Sequence, residues 1–172
     1  ISVEEKPTGE ISAGAGAGTS GTQISFGIAE KNYGGTGVRL DTNFLISDTT
    51  VRGKFSVDNP NFKNSDRSLR TTLESTSTDQ MKNFGYENTR TGLSFGTTYE
   101  QYRDIYFSPS FSNYFESLKT SSKASATKKK QEGDYFDSEF SYGLSLNKLN
   151  QRFQPTDGYK STFYQTIPLV SD

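Results

Sequence analysis

The sequence predicts an all-β fold, an antiparallel β-barrel that crosses a membrane with tilted strands. Three observations carry this reading. Apolar residues recur at every second position in segment after segment. Aromatic residues are abundant in a chain of low hydropathy, with 13 Phe and 10 Tyr among residues that are only 30% hydrophobic and a mean hydropathy of −0.74. No apolar run approaches the roughly 20 residues of a transmembrane helix, so strands closed into a barrel are the remaining way to span lipid with the backbone satisfied. Disordered chains are poor in aromatics, whereas barrel strands are apolar on one face only, which lowers the mean hydropathy without removing the membrane-facing surface.

The elements follow from the period-two pattern. A glycine-rich segment, Gly9 to Thr19, opens the series. Ile24, Phe26 and Ile28 form one face of the next strand. Val38, Leu40, Thr42, Phe44 and Ile46 alternate with Arg39, Asp41 and Asn43. Val51, Gly53, Phe55 and Val57 alternate with Arg52, Lys54 and Ser56, and Leu69, Thr71 and Leu73 with Arg70, Thr72 and Glu74. Leu93 and Phe95 mark a sixth strand, and Ile105, Phe107, Pro109 and Phe111 share the parity of a seventh. Phe136, Phe140, Tyr142, Leu144 and Leu146 share the next, and Tyr159, Phe163 and Ile167 the last. The count is about nine strands, each of about ten residues, the length of a tilted crossing. Alternation alone also fits a soluble β-sandwich whose polar face meets water.

Turn chemistry separates the strands: Gly34-Gly35, Ser47-Asp48 and Asp58-Asn59-Pro60. Thr76 to Tyr86 and Phe115 to Asp134 read as longer polar loops, the second carrying Lys128, Lys129 and Lys130. Barrels place long loops outside and short turns in the periplasm. If Gly9 starts a strand upward, both long loops fall outside, where the lysines suit anionic lipopolysaccharide or simply keep the loop solvated. The Asn147 to Asp157 connection then lies on the periplasmic side. Ile1 is not preceded by a signal peptide, so the chain reads as an internal piece of a longer precursor.

Enzymatic classes find little support. The chain has no His and no Cys, which removes the commonest general base and the thiolate ligands. Asp41, Glu74 and Glu139 sit on polar faces without a nucleophile motif, and the simplest role for them is to line a hydrated lumen opposite Arg39, Arg52 or Arg70. The Gly34 to Gly37 run lacks the Lys-Ser/Thr and the helix of a phosphate loop. No cofactor, metal site or catalytic residue is expected. A net charge of −1 gives no footprint for nucleic acid.

Four motifs carry a family resemblance in order and spacing. They are Glu5-Lys6-Pro7-Thr8-Gly9-Glu10-Ile11 leading into Ser12-Ala13-Gly14-Ala15-Gly16, then Ile28-Ala29-Glu30-Lys31-Asn32-Tyr33-Gly34-Gly35-Thr36-Gly37, then Val57-Asp58-Asn59-Pro60-Asn61-Phe62, and finally Leu146 to Asn150 with Phe153-Gln154-Pro155-Thr156-Asp157-Gly158. The pattern resembles the BamA family of Gram-negative outer-membrane protein assembly factors, in a superfamily of POTRA-barrel proteins. The resemblance covers nearly the whole chain. It implies that residues 1–8 end the last POTRA domain or its linker, and that residues 9–172 form the N-terminal portion of the barrel, about nine of sixteen strands. The second half of the barrel, with its closing strand, would lie outside this sequence.

The same resemblance implies a non-enzymatic function: folding and inserting β-barrel proteins into the outer membrane through a lateral gate at the first strand. The implied partners are the outer-membrane bilayer with its lipopolysaccharide, unfolded outer-membrane protein clients and accessory lipoproteins of the BAM complex. The gate strand is Gly9, Glu10, Ile11, Ser12, Ala13, Gly14, Ala15, Gly16, Ala17 and Gly18. Its small residues leave pairing register weakly specified; equally, the glycines relieve crowding at a bent seam or accommodate an aromatic neighbour. Thr8 and Gly9 read as a hinge or an ordinary linker. Asn59, Pro60 and Phe62, and Pro155, Thr156 and Gly158, read as structural turns on the periplasmic side. Other tasks fit the pattern more loosely: a TamA-like or two-partner secretion transporter of the same superfamily, or a passive porin-like barrel.

Overall fold

The computed structural model describes residues 7–18, 21–151 and 153–171; of the expected POTRA end or linker at residues 1–8, residues 1–6 fall outside them. Nine strands form one antiparallel sheet in chain order: β1 (Gly9–Gly18), β2 (Gly21–Tyr33), β3 (Val38–Ser47), β4 (Thr50–Asn59), β5 (Arg67–Asp79), β6 (Tyr86–Tyr102), β7 (Ile105–Thr120), β8 (Gly133–Asn147) and β9 (Lys160–Ser171). Each strand pairs with its sequence neighbours, so β1 and β9 are the two edges and the sheet is open among the described residues.

The register places the alternating apolar residues in rows across the sheet. One row runs Ile11, Ile28, Thr42, Phe55, Leu73 and Leu93. A neighbouring row runs Leu40, Val57, Thr71, Phe95, Phe111, Phe140 and Ile167. The large members of these rows, Phe55, Leu73, Phe95 and Phe111 among them, remain exposed. A soluble sandwich would bury such a face under a second sheet. Here the buried apolar residues are Leu118 and Ala124, both at one rim, and none of the described side chains is fully buried. The surface is therefore a predominantly apolar wall, interrupted at Thr42, Thr71 and Asn113, that suits a hydrocarbon medium.

The opposite face is polar, and its charges alternate in sign across the strands. Lys54 stands opposite Glu74, and Arg90 opposite Glu116 with its guanidinium 3.9 Å from the Tyr114 ring centre. Arg52 donates to Thr76 Oγ1 at 3.2 Å. Such cross-strand pairs contribute about 0.2–1 kcal/mol each. The arginine partners expected for Asp41, Glu74 and Glu139 are not formed among the described residues. Arg70 instead pairs with Asp58 at 2.7 Å, its direct register partner.

Strand lengths depart from the expected ten. β6, β7 and β8 contain 17, 16 and 15 residues. Much of what reads as long loops is strand: β5 continues to Asp79, so the Thr76–Tyr86 loop shrinks to 80–85, and β7 continues to Thr120, leaving 121–132, with a short helix α1 (Ala126–Lys130) inside it. Backbone pairing needs no apolar side chain, and hydroxyls complete these extensions. Ser75 Oγ lies 2.8 Å from Thr91 Oγ1, and Ser77 Oγ 3.1 Å from Thr89 Oγ1. The two connections then lock together. Gly85, at φ +73°, leaves no room for a Cβ beside Ala124 N, 2.5 Å away, and its carbonyl accepts from Ser121 N at 2.8 Å.

The face assignment yields a direct test. In the full-length protein, Leu93→Arg, in the apolar wall, should lower stability by about 2–4 kcal/mol, while Thr89→Arg, beyond it, should cost about 0–1 kcal/mol. Urea titration in lipid vesicles measures both; equal costs would remove the lipid-facing assignment.

Candidate functional site at the first-strand edge

β1 has the sequence GEISAGAGAG, and all ten residues are exposed. It pairs with β2 along its whole length, from Gly9↔Glu30 to Gly18↔Gly21. Its other edge has no partner among the described residues, so half of its backbone donors and acceptors face away from the sheet. Side chains give little grip on β2: Ile11 meets Ile28, Ala13 meets Phe26 and Ala15 meets Ile24. Ala17 meets Thr22, and the remaining positions carry Gly, Ser or Glu10. The strand is thus held mainly by its backbone ladder.

The glycines are not alike. A Cβ on Gly16 or Gly18 would meet nothing within 4 Å, and one on Gly14 would approach only Ser25 Oγ, at 2.9 Å. Toward β2, then, no aromatic ring occupies the space that these glycines leave. Gly53 does serve that purpose on β4: a Cβ there would lie 3.3 Å from the ring of Phe44, its register partner.

The residues entering β1 are tied down. Thr8 donates its hydroxyl to the Glu30 carboxylate. The same carboxylate accepts from Asn32 N at 2.8 Å, and the Thr8 carbonyl accepts from Lys31 N at 3.3 Å. Lys31 Nζ lies 3.3 Å from Glu10. The sequence reading of Thr8 and Gly9 as a hinge or plain linker did not anticipate these contacts. A single carboxylate at Glu30 gives no sequence signal of its partner 22 residues away.

The turn residues group at the end of the sheet where β1 begins. Asn59 Oδ1 accepts from Asn61 N at 3.1 Å, and Phe62 opens a 3-10 turn, Phe62–Asn64; Pro60 lies between them. In the β8–β9 connection, the Asn150 side chain accepts from Thr156 N at 3.2 Å and Asp157 N at 3.3 Å and donates to Thr156 Oγ1 at 2.9 Å. Pro155 leads into this bracket. Gly158 follows at φ +93°, where a Cβ would collide with the Lys148 carbonyl. The connection is also fastened to the β6–β7 turn, since Lys148 pairs with Asp104 and Asn147 N donates to the Asp104 carbonyl at 3.1 Å. The hydrogen bond from Lys148, aided by the charges of Lys148 and Arg103, holds the Asp104 carboxyl below its ordinary value of 3.8.

The chain lacks His and Cys, and no group of three or more His, Cys, Asp or Glu able to hold a metal occurs among the described residues.

Two outcomes follow. Gly158→Ala should cost about 1–3 kcal/mol because its backbone is left-handed and crowded, whereas Gly16→Ala should change stability by no more than about 1 kcal/mol; urea midpoints of the folded full-length protein decide. Because the Asp104 carboxyl is depressed, its contribution is complete above the ordinary aspartate range and is lost as pH falls through the folded value. Asp104→Asn should therefore lower the urea midpoint at neutral pH and flatten its decline in acid. An unchanged acid profile would show that the pair does not secure this end.

Comparison with known proteins agrees with this architecture. Residues 32–170 match the family model described as the Omp85 superfamily domain. Among solved structures, the chain is similar to "BamA from Haemophilus ducreyi lacking POTRA domains 1-3", with a TM-score of 0.71 and 21% sequence identity over 96% of this chain. The chain spans 35% of the length of that protein, and at that identity the likeness shows the shared fold. With nine antiparallel strands in a single sheet and a family match over most of its length, the chain belongs to the Omp85 superfamily and forms part of the wall of one of its β-barrels.

Proposed function

We propose that this chain is the N-terminal part of the barrel of a BamA-type outer-membrane assembly factor, and that β1 is the strand on which client β-barrel proteins begin to pair. The observation that carries this reading is the β1 edge itself. It is ten residues long, exposed throughout, and built of small side chains. An incoming strand can add to such an edge through main-chain hydrogen bonds, which recognise any sequence in extended form. The lack of bulky side chains leaves register loosely specified, which suits an edge that must pair, slip and release.

In this reading the end of the sheet where β1 begins faces the periplasm, and residues 1–8 lead from the POTRA region. The turns at Asn59, Pro60 and Phe62 and at Pro155, Thr156 and Gly158 then lie on the periplasmic side, near the POTRA region and accessory lipoproteins. The β7–β8 connection, with Lys128, Lys129 and Lys130, lies outside, within reach of lipopolysaccharide. The work is pairing and release, with no covalent step.

The test is a locked seam. In the full-length protein, single Cys residues placed within Gly9–Gly18 and in the last barrel strand are joined by oxidation. Client insertion into proteoliposomes should drop at least about tenfold and recover on reduction, since the edge is then unavailable for augmentation. Unimpaired insertion with the seam closed would defeat the gate reading.

A further inference from the structure

We propose that Glu30 is a positioning residue: its carboxylate clasps the entry of β1 to β2, so that β1 stays in the wall while its other edge exchanges partners. The functional half of this inference rests on the proposed role of β1; the clasp itself does not.

Glu30 breaks the pattern of its own strand. The even positions of β2 carry Ile24, Phe26 and Ile28 on the apolar side, and Glu30 continues that parity with a charge. A side chain placed against the prevailing pattern needs a compensating contact. Three features supply it. The β2–β3 register shifts between Glu30 and Tyr33, and such an irregularity re-aims side chains. The residue opposite Glu30 on β1 is Gly9, where an added Cβ would stand 3.2 Å from Glu30 Oε2, so the absent side chain lets the carboxylate reach across. The carboxylate then accepts from two separate segments, the Thr8 hydroxyl and Asn32 N. Hydrogen bonds to a charged acceptor are stronger than neutral ones.

The place matters as much as the contacts. β1 offers β2 few packing side chains, and a client pairing with its far edge competes for the strand as a whole. Fraying starts at strand ends, where opening costs least. The clasp closes the end at which the chain enters the wall, with Lys31 N holding the Thr8 carbonyl and Lys31 facing Glu10 beside it.

Hydrogen exchange on the full-length protein folded in lipid nanodiscs, without client, tests the clasp. Glu30→Ala should raise exchange in the peptide covering residues 9–18 about tenfold, leave β3 to β8 unchanged, and act alike with Thr8→Val. Glu30→Gln, which keeps an acceptor oxygen, should retain most of the protection. Unchanged exchange in Glu30→Ala, or equal loosening by both Glu30 variants spread through the sheet, would overturn the clasp. In the insertion assay, Glu30→Ala should reduce yield several-fold and Glu30→Gln much less; full yield despite a loosened β1 would overturn its functional role. A failed gate is distinguishable, because the exchange result involves no client and the seam-locking result does not depend on Glu30.

Discussion

The backbone's demand for hydrogen bonds governs this molecule. In hydrocarbon each unpaired N–H or C=O costs several kcal/mol, so every strand in the wall must be flanked. Antiparallel neighbours joined in chain order meet that demand with the shortest connections. Once the backbone is satisfied, side chains have only to suit the medium on each side, and one residue in two is enough for that. This explains how a chain with a mean hydropathy of −0.74 presents a predominantly apolar wall. It also explains why β5 and β6 run on as paired strands beyond Leu73 and Leu93: the ladder holds with Ser75 and Ser77 beside Thr91 and Thr89.

The same demand makes β1 unusual. Edge strands are commonly protected by Pro, by Lys, by a bulge or by shortness. β1 has ten residues, no Pro and no Lys, and its register with β2 is unbroken. A long, regular, unprotected edge is an aggregation hazard in water and an attachment point for another strand in a membrane. The length and regularity of β1 are consistent with its proposed role.

Much of this was legible in the sequence, for a physical reason. The side-chain period of a strand is two whatever lies around it, so Phe44, Phe55, Phe95 and Phe140 declared their face without any knowledge of their neighbours, and nine strands could be counted. Strand ends were less legible. Thr76 to Asp79 and Glu116 to Thr120 look like loop because polarity was the only cue available, whereas their pairing is a property of the partner strand. Ion pairs were less legible still: Asp58 and Arg70 meet because of register, which one sequence does not display. The β1 segment stood out through its glycines, but its hold on β2 did not. That hold depends on Glu30, Thr8 and Gly9 coming together across a hairpin.

A strand that accepts varied partners faces a conflict that β1 makes concrete. Affinity for unlike sequences has to come from the backbone, so side chains that would favour one register must be absent. Each β1 side chain points to one face of the sheet and serves both edges, however, so a strand stripped for its free edge is equally stripped toward β2. The backbone ladder toward β2 is then no stronger per residue than one toward a client of equal length. Retention in the wall has to come from contacts beyond the shared ladder, and the chain supplies them just before and at the start of β1, where Glu30 and Lys31 meet Thr8 and Glu10 and Asn32 N braces the Glu30 carboxylate. Placing these contacts at the entry end leaves Ala13 to Gly18 with no side-chain anchor larger than Ala, so in the proposed role the freedom to exchange partners would grow along the strand away from its fixed end.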